Sequence, residues 1–159
     1  MRLSTFSDYS LRVLVYVTTH PEKRATIDQI AEAYGVSRNH LMKVVQTLGH
    51  LELVTTVRGR GGGLVLARPA ETVRLGDVLR QTEKDSAIVE CLGQGPSTCP
   101  LCGVCNLTPM FEEAREAFFD TMNRFTLADA AARSDILRLL FSTIKVLYCG
   151  TAKPLIFLG

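Results

Sequence analysis

Thr26-Ile27-Asp28-Gln29-Ile30-Ala31-Glu32-Ala33-Tyr34-Gly35-Val36-Ser37-Arg38-Asn39-His40 holds two helix starts separated by a glycine. Thr26 with Gln29 three residues on is a capping box: the threonine accepts from a free amide and the glutamine reaches back. It opens a short helix with Ile27, Ile30, Ala31 and Tyr34 inward, and Gly35 follows where left-handed backbone costs little. Ser37 is placed to cap the next helix, whose apolar stripe is Leu41, Val44, Val45, Leu48 and Leu51. Arg38, Asn39, His40, Lys43 and Gln46 fall on or near the opposite side. Two helices joined by a tight glycine turn make a helix-turn-helix, whose second helix enters the major groove. Arg38 offers a fork for guanine or phosphate, Asn39 matches adenine, and Lys43 reaches phosphate. Ser37 and His40 stand at the same helix start. A plain three-helix bundle with a polar outer face shares this pattern, so the next segment decides.

That segment is Val54-Thr55-Thr56-Val57 and Leu64-Val65-Leu66-Ala67 around Arg58-Gly59-Arg60-Gly61-Gly62-Gly63. Two short β-prone runs with a basic, glycine-rich tip predict a hairpin wing. Its glycines let backbone approach DNA closely, while Arg58 and Arg60 supply charge for a phosphate or a narrow minor groove. A nucleotide-cradling loop is excluded, because no Lys-Ser/Thr and no helix start follow the glycines. Helix-turn-helix followed at once by such a wing predicts double-stranded DNA as partner. Charge agrees: residues 1–68 carry nine Lys/Arg against five Asp/Glu, and residues 69–159 carry nine against eleven.

On the amino-terminal side, Ser7-Asp8 is a plausible helix start, with Leu11, Leu14, Val15 and Thr18 at helical spacing and His20-Pro21 ending it. On the other side, Arg68-Pro69-Ala70 leaves the wing and Val73, Leu75, Val78 and Leu79 predict a further short helix.

Cys91-Leu92-Gly93-Gln94-Gly95-Pro96-Ser97-Thr98-Cys99-Pro100-Leu101-Cys102-Gly103-Val104-Cys105 follows, with four of the five cysteines. Its glycines and prolines exclude a regular helix, so the thiols lie on a loop able to fold around something. Thiolate selects zinc, copper(I) or iron–sulfur centres, and the C-x2-C-x2-C run at its end lets neighbouring thiols converge. A disulfide framework would require a secreted chain, whereas the start of this one lacks an apolar signal segment. A cytoplasmic protein with reduced thiols is expected.

Beyond the loop, Pro109 suits the first turn of a long helix bearing Leu107, Phe111, Ala114, Phe118, Met122 and Phe125 along one face. Such a stripe predicts a symmetric two-helix interface, since a homodimer presents paired recognition helices to a palindromic operator. Thr126-Leu127-Ala128-Asp129 reads as a short helix or turn. Ile136 to Cys149 contains Arg138 and Lys145 and is too short to span a bilayer. The expected architecture is mainly α with a small β-hairpin wing: a winged helix-turn-helix domain over 1–82, a cysteine loop over 83–107, a dimerisation helix over 108–132 and a tail over 133–159. No Ser/His/Asp set, paired carboxylates or nucleotide loop marks an enzyme. His20, His40 and His50 read as surface or turn residues, and Cys149 as a packing residue.

In this order the pieces resemble the Rrf-type winged-helix regulators that carry iron–sulfur clusters, and among them the nitric-oxide-sensing repressors. The likeness runs from Met1 to about Asp129. It rests on Phe6-Ser7-Asp8-Tyr9 before Leu11-Arg12, Tyr34 to His40, Val57 to Gly63, Arg74-Leu75-Gly76-Asp77-Val78, the cysteine loop, and Phe125-Thr126-Leu127-Ala128-Asp129. The family usually has a tyrosine where Phe125 stands. The resemblance implies a 4Fe-4S cluster on Cys91, Cys99 and Cys105 and an oxygen ligand from the partner subunit's Asp8. The ordinary reading of Asp8 is a helix-start carboxylate paired with Arg12 one turn on, and Arg12 is expected at the switch. Cys102 stands where the family usually has no cysteine, so the fourth ligand is Asp8 or Cys102. A 2Fe-2S sensor of cluster supply or redox state would favour a histidine just after Cys105, where Asn106, Leu107 and Thr108 stand. A structural zinc site is the remaining alternative.

Overall fold

The computed structural model describes residues 2–83, 87–93 and 95–143. Its order is α1 (Thr5–Thr19), α2 (Ile27–Tyr34), α3 (Arg38–His50), β1 (Val54–Val57), β2 (Gly63–Leu66), α4 (Leu75–Thr82), α5 (Leu107–Met122), α6 (Leu127–Ala130) and α7 (Ser134–Thr143). Single 3-10 turns precede α4 and lie at Glu90–Leu92. The mainly helical fold with one antiparallel hairpin is the one expected from the sequence.

The helix-turn-helix forms for the local reasons given by its residues. Thr26 accepts from Gln29 N at 3.2 Å and Gln29 Oε1 accepts from Thr26 N at 2.9 Å, completing the capping box. Gly35 ends α2 at φ 62°. Leu41, Val44, Val45 and Leu48 are buried on α3, with Leu51 half-buried just past its end. Ser37 is the residue before α3, but its side chain makes no capping bond. Thr26→Ala removes one cap and orphans the first-turn amide, so denaturant unfolding should show a loss of about 1 kcal/mol. An unchanged midpoint would refute the capping role.

α1 begins earlier than its sequence suggests. Ser4, not Ser7, is the cap: its Oγ accepts from Ser7 N at 3.1 Å, and Ser7 itself is fully buried. Ser4 is held by a partner far along the chain, its amide and hydroxyl donating to the Glu83 carboxylate just after α4 at 3.0–3.1 Å. The inner face is correspondingly rotated. Ser10, Val13, Leu14 and Val17 are buried, while Leu11 and Val15 are only partly covered and Thr18 is half-buried.

The hairpin pairs Val54 with Leu66, Thr55 with Val65, Thr56 with Leu64 and Val57 with Gly63. Ala25 adds a single antiparallel bridge on the other edge of β2, exchanging bonds with Leu64 at 3.1 and 2.7 Å. One core joins α1, α2, α3 and the hairpin base through Leu14, Ile30, Leu48 and Leu64, and extends to Val73, Val78 and Leu127. Residues 73–75 exchange backbone bonds with Phe125 and Leu127 at 3.0 and 2.8 Å, stitching α6 to the start of α4. Thr126 and Asp129 form a second capping box, which the sequence reading did not single out.

α5 ends at Met122, so Phe125 lies beyond the helix and is 47% exposed. The buried phenylalanine is Phe119 rather than Phe118, because α4 lies against that side. Phe118 is half-buried and meets Phe119 edge-on at 5.5 Å, while Ala114 is exposed. Arg80 of α4 covers the Phe119 ring at 4.7 Å and pairs with Glu116 and, at 3.0 Å, with Asp120. The Arg80 hydrogen bond holds the Glu116 carboxyl below its ordinary value of 4.5. The tie is therefore complete above that value and is lost as pH falls through the lowered one.

α7 folds back over α1 and α2. Phe141 meets Tyr16 at 5.0 Å and Tyr34 at 5.2 Å, and Arg138 pairs with Glu22 at 3.5 Å and with the Thr19 carbonyl. Cys149 and the rest of the tail from residue 144 lie outside the described residues, as do Lys84, Asp85, Ser86 and Gln94 in the cysteine segment. Among the described residues no helix is long and apolar enough to cross a membrane.

Candidate nucleic-acid interface and cysteine loop

Burial of the α3 stripe turns the other side of that helix outward. Ser37, Arg38, Asn39, His40 and Lys43 are all exposed, as are Arg58 and Arg60 at the hairpin tip. The helix start and the wing thus present seven side chains of the types that read bases and phosphates. Arg38 is partly engaged: its Nε donates to Asp28 of α2 at 2.7 Å and one Nη reaches Met42 Sδ at 3.1 Å. This exposed ion pair contributes little stability, but it fixes where the guanidinium points.

Arg24 belongs to this surface and was not singled out from the sequence. Its Nη1 donates to the Gly61 carbonyl at 3.1 Å, bracing the wing tip from the segment before α2. Gly59 and Gly61 adopt φ of 99° and 77°, which side-chain-bearing residues rarely take. The only sequence signal for Arg24 was the basic excess of the front half. Arg58→Ala or Arg60→Ala should weaken binding to any duplex and lower the slope of log affinity against log salt by about 1. A salt slope identical to that of the unaltered chain would remove the wing arginines from the interface.

The cysteine loop is closed at its base. Cys91 Sγ lies 3.5 Å from Thr108 Oγ1, while Thr108 N donates to the Cys105 carbonyl at 3.3 Å. One threonine in the first turn of α5 therefore gathers the first and last cysteines, and the positive end of the helix dipole there favours negative charge. Within the loop, Cys102 N donates to Cys99 O and Val104 N to Leu101 O, both at 3.1 Å, giving overlapping turns with Gly103 at φ 87°. Cys91, Cys99, Cys102 and Cys105 are free thiols; Cys99 and Cys102 are exposed, and Cys91 and Cys105 half-buried. Among the described residues no three His, Cys, Asp or Glu side chains converge closely enough to hold a metal ion. The donor set nevertheless suits a soft centre: reduced thiols on an irregular loop pinned at both ends.

Asp8 lies elsewhere, half-buried on α1. Its carboxylate takes a forked bond from Arg12, with Nε at 3.0 Å from both oxygens and Nη2 at 3.0 Å. Arg12 also lies over the Tyr34 ring at 5.5 Å. Burial raises the Tyr34 phenol above its ordinary value, so that ring stays neutral beneath the cation. Asp8 and Arg12 are thus brought together within one protomer. His20 stacks on Tyr16 at 4.5 Å, and His40 and His50 are exposed on or at the end of α3.

Comparison with known proteins places this geometry. Residues 3–133 match the Rrf2 family, described as iron-dependent transcriptional regulators. The HTH-type transcriptional regulator NsrR of Bacillus subtilis (strain 168) is 42% identical over 142 residues, covering 88% of this chain and 97% of that protein. The protein of the same name from Bacillus licheniformis is 39% identical over 143 residues, covering 89% of this chain and 100% of its own. Among solved structures, CymR, the global cysteine regulator of B. subtilis, superposes with a TM-score of 0.66 at 22% identity, covering 84% of this chain and 98% of that one. T. potens IscR gives 0.66 at 24% identity, covering 84% and 88%. These two likenesses speak to the fold.

Proposed function

The chain belongs to the Rrf2 family of transcriptional regulators, and we propose that it is a homodimeric DNA-binding repressor sensing nitric oxide through a 4Fe-4S cluster. The observation that carries this reading is the base-pinned loop of four free thiols behind an exposed helix-turn-helix and wing. Cys91, Cys99 and Cys105 would hold the cluster, with the partner subunit's Asp8 as fourth ligand. When bound, such a cluster would supply iron open to a diatomic gas, the chemistry by which nitric oxide would release the operator.

The chain's own residues provide the two-state element. Free, Asp8 is neutralised by Arg12 on the same helix. Giving that carboxylate to the other protomer's loop leaves Arg12 on the Tyr34 face of α2, so the exchange is felt directly by the helix-turn-helix. A carboxylate is a harder and more labile ligand to iron than thiolate, so Asp8 would be the weakest of the four holds on the cluster. Residues 1–82 serve as the DNA-binding unit, 83–107 as the cluster loop, 108–132 as the dimerisation segment and 133–159 as the tail. Leu107 and Met110 of α5 are 57% and 60% exposed, and such an apolar face supports a second copy as its cover. A C2 pairing there would set two recognition helices against a palindromic operator.

The test is purification without oxygen, followed by visible spectra, iron and sulfide analysis, and binding to a duplex selected from a random pool. A brown protein with matched iron and sulfide that releases the duplex on adding nitric oxide supports the reading. A colourless, metal-free protein that still holds its duplex overturns it.

A further inference from the structure

We infer that Cys99 and Cys102 are a thiol–disulfide pair, closed by exchange with a low-molecular-weight disulfide whenever no cluster occupies the loop.

The geometry of Cys99-Pro100-Leu101-Cys102 carries this. Cys102 N donates to Cys99 O at 3.1 Å, so the two cysteines are the end residues of a hydrogen-bonded β-turn. Such a turn keeps its end Cα atoms within about 7 Å, and a disulfide needs roughly 4.4–6.8 Å. Pro100 occupies the second turn position, where its fixed φ is already correct, so little chain entropy remains to be lost on closure. Both thiols are free and exposed, hence open to a soluble oxidant. The other two cysteines are placed differently. Cys91 is half-buried against Thr108, and the Cys105 carbonyl is engaged by the start of α5. Among the described residues, no backbone bond from Cys105 to Cys102 closes a matching turn.

The exchange balances without a metal. The Cys99 thiolate attacks one sulfur of a disulfide RSSR, forming a mixed disulfide and expelling RS⁻. The Cys102 thiolate then attacks the Cys99 sulfur and expels the second RS⁻. The two cysteine protons end on the two departing thiolates, so two protein thiols are oxidised and one RSSR is reduced to two RSH. Only the consequence rests on the cluster reading: closure removes Cys99 from the ligand set and holds the loop closed to iron until a thiol reductant reopens it.

The test uses the full chain, freed of metal and fully reduced, with oxidised glutathione as probe. Thiol counting and fragmentation mass spectrometry should show two thiols lost and Cys99 joined to Cys102. Cys102→Ser should instead stop at a glutathione adduct on Cys99. A bond that maps to Cys91 or Cys105, or unaltered protein that itself stops at the adduct, overturns the inference. Iron and sulfide are then offered to both forms, and the disulfide form should take up iron at least about tenfold less. Equal uptake by both forms overturns the consequence. If the reduced form takes up none while the disulfide maps as stated, the cluster reading fails and the pair stands.

Discussion

Cys91→Ala protein, isolated without oxygen, is expected to be colourless and to carry almost no iron or sulfide. Cys91 is the one thiol on the upstream arm of the loop, and its contact with Thr108 pins that arm to α5. Alanine removes a ligand and the pin together. Loss of an outer-shell partner already costs metal affinity about 10–100-fold, so loss of a ligand should exceed that. Cys102→Ala, by contrast, should keep full iron and sulfide, because that thiol is not among the proposed ligands. Asp8→Ala should retain the three thiolates and some colour, but DNA release by nitric oxide should become abnormal. Full iron and sulfide in Cys91→Ala would end the assignment, and loss of both in Cys102→Ala would make the site all-thiolate.

Gly76→Ala should lower the melting temperature by several degrees, through a loss of about 2 kcal/mol. Gly76 is buried near the start of α4, where a Cβ would press into the Phe119 carbonyl oxygen and the Asn123 side chain. Neither gives way easily. The carbonyl belongs to the α5 backbone, and Asn123 is fixed by two bonds to Asp77, at 2.8 Å from its amide and 2.9 Å to its carboxylate. The methyl group must therefore push α4 from α5, disturbing the Arg80 pairs with Glu116 and Asp120 and the cover over Phe119. Thermal unfolding checks this directly. An unchanged midpoint would mean the two helices separate freely, and that α5 is not rigidly coupled to the DNA-binding unit.

The legible parts of the fold are those decided by near neighbours. Thr26 and Gln29 are three residues apart, Gly35 ends its helix by its own backbone, and the glycines of the wing tip sit between two β-prone runs. Each signal lies within one or two turns of what it determines. What escaped depends on distant partners. Ser4 caps α1 with Glu83 behind it, Phe119 is buried because α4 lies on that side, and Arg24 acts on Gly61 across 37 positions. Phe141 completes an aromatic group with Tyr16 and Tyr34 that no periodicity connects. For the candidate site, residue types and spacing declared the cysteine loop, and the exposure of Ser37, Arg38, Asn39, His40 and Lys43 followed from the α3 stripe. The pairing of Cys99 with Cys102 needed a turn bond that composition does not contain.

The brace from Arg24 to Gly61 and the Ala25–Leu64 bridge have a thermodynamic corollary. A hairpin tip rich in glycine would ordinarily surrender much freedom on meeting a duplex. Here the adjoining segment already restricts it in the folded chain, so under the proposed DNA-binding role association is expected to proceed between two preshaped surfaces. Its heat-capacity change should then reflect the contact area alone, without the extra contribution of a loop that orders on arrival.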